Sequence, residues 1–120
     1  MEAKNILGEK LEECGCNPMT GWFRDGYCKT DMTDHGIHTV CAVVTQEFLE
    51  FSKAKGNDLT TPIPEFGFKG LKPGDHWCLC AGRWFEAYKA NKACPVKINA
   101  THEESLSIIP KELLLEFAKD

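Results

Sequence analysis

Seven cysteines stand at positions 14, 16, 28, 41, 78, 80 and 94, accompanied by four histidines. Thiols and imidazoles are the side chains best suited to nucleophilic, redox or metal chemistry near neutral pH. The tightest grouping is Cys78-Leu79-Cys80. On a strand, residues two apart face the same side, so the spacing predicts both sulfurs together, with Trp77 and Leu79 opposite. Their Cα atoms would lie about 6.5–7 Å apart, at the edge of disulfide reach. Cys80 is the better nucleophile candidate. It sits at a predicted strand-to-helix junction just before Arg83, and helix N-termini and arginines both activate thiols. The plainer reading of Cys78 and Cys80 is small core residues, because free cysteine is among the most buried residue types.

His38-Thr39-Val40-Cys41 places a second cysteine near a histidine. A Cys–His dyad here meets a geometric objection: three residues apart on a regular strand means opposite faces. Cys41 is therefore expected in the core, or facing the Cys78/Cys80 side of a neighbouring strand. His38, at the start of a strand, suits a base, a ligand or a hydrogen-bonding turn residue. Cys14, Cys16 and Cys28 lie in loop-like sequence. A structural zinc site would draw on Cys28, Cys78 and Cys80 with His38 or Cys41. Both close pairs are C-x-C, however, rather than the C-x₂-C of zinc knuckles, and no metal ligand is assigned. Cys94, before Pro95, reads as incidental.

Around these groups, Asp25 and Arg83 are candidate rim residues, and Cys28, Asp75 and Trp77 candidate ligand contacts. Asp75 also fits an ordinary turn after Pro73-Gly74, and tryptophan is more often core than platform. Asp34 reads as a turn residue.

The elements that must position these groups follow from local patterns. Residues 37–44 form a short apolar run crowded with β-branched residues, the strongest strand signal in the chain. Thr45 then suits a helix N-cap, Glu47 the first turn, and Gly56 a left-handed stop after about Lys55. Residues 76–80 follow the Pro73-Gly74-Asp75 turn as a second central strand. Residues 81–91 carry Ala81, Trp84, Phe85 and Tyr88 at helical spacing. A third strand is expected over 95–100, and a short helix opened by a Thr101/Glu104 capping box. A last helix should open at Pro110. Asn5-Ile6-Leu7 reads as a short strand, and residues 14–36 as turns with a hairpin around Trp22-Phe23. A strand–helix–strand succession predicts a parallel pair with a right-handed crossover. The class is α+β: a small sheet with central strands near 37–44 and 76–80, flanked by three or four helices, in a single domain spanning 1–120.

Composition sets outer limits. The 120 residues carry a formal net charge of −4 with only two arginines, Arg24 and Arg83. No basic stripe is present, so no nucleic-acid partner is expected. No apolar run approaches a membrane span. An odd cysteine count and an N-terminus without an apolar core point to reduced thiols and a cytoplasmic location, leaving open a cleaved organellar targeting peptide. No cofactor, substrate or oligomeric state is legible; a small molecule is the expected partner.

Taken together, the motifs resemble a known family. They are Asp25-Gly26-Tyr27-Cys28, His38-Thr39-Val40-Cys41-Ala42-Val43, Gly56-Asn57-Asp58-Leu59, and Gly70-Leu71-Lys72-Pro73-Gly74-Asp75. The last runs into Trp77-Cys78-Leu79-Cys80-Ala81 and Arg83-Trp84. The family is domain of unknown function 2237, and the resemblance spans almost the whole chain. It implies a stand-alone single domain and no assigned activity. His76 stands where the family is expected to have arginine, and Gly82 where it is expected to have alanine.

The expected function is a ligand-binding or thiol-reactive pocket walled by Cys28, His38, Cys41, Cys78 and Cys80. A structural zinc module is the second reading. The third is an interaction domain presenting Phe66 and Phe68 from the long segment 56–75.

Overall fold

The computed structural model describes residues 3–119. Two strands, β1 (His38–Val43) and β2 (His76–Cys80), form the central sheet. Three α-helices follow in the chain: α1 (Gln46–Ala54), α2 (Ala81–Lys89) and α3 (Lys111–Glu116). The class is α+β, as the sequence implies.

Helix α1 starts and stops for local reasons. The Thr45 hydroxyl accepts from the Phe48 amide at 3.1 Å, satisfying a first-turn donor. Gly56, at φ 93°, takes the left-handed conformation that ends α1. Phe48 and Leu49 of α1 and Trp84 and Ala87 of α2 are buried against the strands. Tyr88 stacks on Trp84 at 5.8 Å, and Phe117 meets Trp84 edge-on.

The sheet departs from expectation in its direction. β1 and β2 are antiparallel. After β1 the chain passes through α1 and the irregular segment 56–75, then returns at the end it left. There the Val44 amide donates to Asp75 O and the Gly74 amide to Val44 O. The long connection leaves both directions accessible, and these closing hydrogen bonds select the antiparallel one. The expected third strand is reduced to Val96, which bridges to Ala42 on one side and Ala118 on the other. Pro95 has no N–H to extend the ladder, and the chain tightens into a 3₁₀ turn at Ile98–Ala100. The short helix after it is also 3₁₀, Glu103–Ser107, and its cap is His102, whose Nδ1 accepts from the Glu104 amide. Thr101, expected as that cap, is instead buried, accepting from the Cys41 amide and donating to Lys97 O. Asn5 forms only an isolated bridge, to His102, and the Trp22-Phe23 region is turn rather than hairpin.

The two faces of the sheet are covered differently. Val40, Ala42 and Leu79 join Phe48, Leu49, Trp84, Val96, Ile109 and Leu114 in the main apolar core. A separate buried cluster holds Cys14, Cys28, Cys41, Cys78 and Ala100. Two disulfides run through it, Cys14–Cys41 and Cys28–Cys78. They fasten the irregular N-terminal third across the strands, a segment too poor in regular structure to build much core of its own. The expectation of reduced thiols throughout is thereby corrected for four of the seven cysteines.

Candidate functional site

Cys80 is the last residue of β2 and the N-cap position of α2. Its partner across the sheet is His38, the first residue of β1. The strands are in regular register from Val43 to Val40, where Cys41 opposes Cys78. Between Val40 and His38 the register shifts, so that Thr39 is extra. Such a bulge reverses the alternation of faces. His38 consequently returns to the face that carries Cys41, Cys78 and Cys80. The expectation that His38 and Cys41 lie on opposite faces fails for this reason. Thr39 itself is fully buried, its hydroxyl paired with that of Ser105 at 2.7 Å.

Three side chains line up at this end of the sheet. His38 Nε2 lies 3.2 Å from Cys80 Sγ, and His38 Nδ1 lies 2.6 Å from Asp34 Oδ1. The Asp34 side chain is fully buried. Its Oδ2 accepts from the His38 amide at 2.9 Å and from the Thr30 hydroxyl at 3.1 Å. Burial alone would raise the Asp34 carboxyl, but the His38 amide and imidazole and the Thr30 hydroxyl hold it below the ordinary carboxylate value. The hydrogen bond to Cys80 raises His38 most. Burial opposes it, and the charges of Cys80 and Asp34 add to it, bringing the imidazole to about 9. At neutral pH both ring nitrogens are then protonated, with Nδ1–H donating to Asp34 and Nε2–H directed at the sulfur.

This elevation fixes a sign for stability. The folded-state value of about 9 exceeds the ordinary 6.5, so the protonated ring stabilises the fold fully below pH 6.5. The contribution disappears as pH rises from 6.5 towards 9. Urea-denaturation midpoints should therefore fall over that window by more in the native protein than in His38→Asn. Parallel curves for the two proteins would contradict the assignment.

The surrounding backbone is held under constraint. Ile37, a β-branched residue, sits at φ 49°, a conformation costing on the order of 1 kcal/mol or more. Its carbonyl accepts from the Ala81 amide at 3.0 Å, tying the turn before His38 to the first residue of α2. Gly36 is wedged against the pair. A Cβ added there would meet His38 Cε1 at 2.8 Å and Cys80 Sγ at 3.0 Å. Gly36→Ala is accordingly expected to displace one of the two side chains and to slow alkylation of Cys80 by roughly 10- to 100-fold. Iodoacetamide kinetics followed by peptide mass analysis would read this, and an unchanged rate would show that the glycine is dispensable.

The pair opens into a cleft of about 290 Å³ lined by Trp22, Arg24, His38, Asn57, Leu59, Trp77, Cys78, Leu79 and Cys80. The Trp22 ring stacks on His38 at 5.6 Å. The Arg24 guanidinium lies 5.3 Å from the centre of the Trp77 ring and donates to Gly21 O. No carboxylate pairs with it among the described residues. Two roomier hollows, of about 580 and 610 Å³, lie around His102 and Thr30, and no cysteine lines either.

The sequence-based candidates divide clearly. His38, Cys80 and Trp77 meet at the cleft. Cys41, Cys78 and Cys28 are in disulfides and are not thiols here, because the cross-strand Cys41/Cys78 pair lies directly under the cysteines of the N-terminal segment. Asp25 pairs with Lys29 and caps its own turn at the Tyr27 amide. Asp75 accepts from the Lys72 amide, closing a turn. Arg83 reaches Lys55 O and Glu86 rather than the thiol. The suggested zinc set including Cys80 or His38 does not assemble: the sulfurs that converge, within 4.8 Å, are those of Cys14, Cys28 and Cys78. Phe66 is exposed, whereas Phe68 packs on Trp77 at 5.3 Å. Cys94 is buried, its thiol pushed up to about 12 by desolvation. Sequence reasoning missed Asp34, Trp22, Arg24 and Gly36. The Asp34–His38 spacing of four was the one available signal.

Among the described residues no helix is long and apolar enough to cross a membrane. No curated protein matches the chain. The family model described as an uncharacterized protein conserved in bacteria, DUF2237, matches residues 4–118, and the chain belongs to that family.

Proposed function

We propose that the protein is a nucleophilic-thiol enzyme acting on a small acyl substrate, with Cys80 as nucleophile, His38 as proton carrier and Asp34 as the group that orients the imidazole. The observation that carries this reading is the continuous contact Cys80 Sγ–His38–Asp34, at 3.2 and 2.6 Å, opening on a cleft. In the reaction Sγ bonds to the acyl carbon and the bond to the leaving group breaks. The proton already held on Nε2 passes to the departing atom. Water then attacks the thioester, giving a proton to the now neutral Nε2, and the acid departs as the bond to Sγ breaks, which restores the starting Cys80–His38 pair.

The start of α2 supports the same chemistry. Cys80 is the N-cap, α2 has no side-chain cap, and the Ala81 amide is already engaged by Ile37. The next amides, of Gly82 and Arg83, have no acceptor within the helix. A Cβ on Gly82 would meet nothing within 4 Å, so the space above is open. These two amides are the donors for the oxyanion of a tetrahedral intermediate. Arg24 supplies a cationic wall, which favours substrates carrying a carboxylate.

The test exploits the three free thiols. Cys16 is exposed, Cys80 half-buried and Cys94 buried. Accessibility alone ranks Cys16 first. Limiting iodoacetamide at pH 7, followed by peptide mapping, should label Cys80 first. Cys16 reacting ahead of Cys80 would overturn the proposal.

A further inference from the structure

The second cysteine cluster is buried beside the Cys80 cleft and shares Cys78 with its lining, and its geometry suits more than cross-linking. The sulfurs of Cys14, Cys28 and Cys78 lie within 4.8 Å of one another, and the Cys41 sulfur is bonded to that of Cys14. All four cysteines are buried. Cys41 and Cys78 come from directly opposed positions on β1 and β2, and Cys14 and Cys28 from the N-terminal segment. Four thiolates around zinc at about 2.3 Å stand about 3.8 Å from each other, the edge of a regular tetrahedron. The cluster is already near that size, and its ligands come from two sides.

We propose that Cys14, Cys28, Cys41 and Cys78 form a redox-exchangeable zinc site, metal-bound when reduced and closed as two disulfides when oxidised. The interconversion balances. Two dithiol molecules reduce the two disulfides, supplying four electrons and four protons and leaving as two cyclic disulfides. The four resulting thiols bind one Zn²⁺ and release four protons. The tetrathiolate complex carries two negative charges into a buried place. Two basic side chains lie beside it: Lys97 Nζ donates to Glu13 O at 2.9 Å, and His76 Nδ1 contacts Cys14 O at 2.8 Å. The backbone around the ligands is also fixed, with the Cys14 and Gly15 amides both donating to Gly26 O. The site needs neither Cys80 nor His38, so it stands or falls independently of the proposed reaction.

The experiment uses the whole chain carrying Cys16→Ser, Cys80→Ser and Cys94→Ser, which leaves only the four cluster cysteines. The protein is reduced with a phosphine, freed of reductant without oxygen, and titrated with Co²⁺ and then Zn²⁺. One equivalent of cobalt should give sulfur-to-metal charge-transfer bands and the visible bands of a tetrahedral site, with zinc abolishing both. Native mass spectrometry should show one zinc per chain, and zinc should raise the melting temperature of the reduced protein. Absence of the tetrahedral spectrum would overturn the proposal. So would metal binding without a rise in melting temperature, because that describes thiols of an unfolded chain.

Discussion

His38→Asn is expected to lower the rate of Cys80 alkylation at pH 7 on the order of 10²-fold, with little change in the rate at Cys16. The substitution removes the one proton-carrying side chain, among the described residues, within hydrogen-bond reach of the Cys80 sulfur. General-base assistance of this kind contributes about 10²–10⁴-fold. It also removes the charge that Asp34 is buried to hold, so part of the effect is structural. Asp34→Asn separates the two. It preserves size and leaves Nε2 facing the sulfur, and should cost about tenfold through loss of orientation and of the carboxylate. Circular dichroism and the Cys16 rate, measured on the same samples, report whether the fold survives. If His38→Asn reacts at the native rate, the contact at 3.2 Å is structural and the proposed mechanism has no proton carrier.

Complete reduction of the disulfides, with zinc removed by chelator, should lower the melting temperature by roughly 15 °C or more. Cys14–Cys41 closes a span of 27 residues and Cys28–Cys78 one of 50. Chain-entropy reasoning assigns about 3.5 and about 4 kcal/mol to loops of these lengths. The loops interleave, so their sum is an upper bound. Even one of them is a large share of the stability of a domain this size, about 5–15 kcal/mol. The N-terminal third should loosen first, since it contributes few residues to the main core beyond Ile6. Hydrogen exchange would locate the loss: early exchange at the Cys14 and Gly26 amides, and retained protection in β1, α1 and α2. A melting temperature unchanged by reduction would mean that hydrogen bonds such as Cys78 N to Thr20 Oγ1 suffice to hold this segment in place.

Local pattern carried the sequence reading as far as contiguous residues reach. The β-branched run before Thr45 is β1, the Thr45 cap and Gly56 stop bound α1, and the Ala81–Trp84–Tyr88 spacing is α2. These signals are legible because each depends on dihedral preferences, caps and periodicity within one turn or one short strand. The same locality placed Cys80 at a strand-to-helix junction and His38 at the start of a strand. It also explains the failures. Val96 bridges two neighbours without making a strand, because Pro95 and the following 3₁₀ turn interrupt it.

What the tertiary structure alone decided is which of these groups meet. Spacing on an ideal strand separates His38 from the cysteine face, and one bulged residue, Thr39, reverses that. The bulge answers to packing, since Thr39 is drawn inward to Ser105, and no motif in residues 37–44 announces it. Asp34 reads as a turn residue until burial and the ring of His38 close around it. The disulfide partners are likewise non-local. Four cysteines admit several pairings, and the opposition of Cys41 and Cys78 in an antiparallel sheet places each under a different loop cysteine. The sequence by itself determined the α+β class, the two ends of α1 and the reactive residue types. The face each side chain occupies, and so the division of seven cysteines into one thiol at a cleft, two others and a buried group of four, follows from register. Register is a property of paired strands and not of either strand alone.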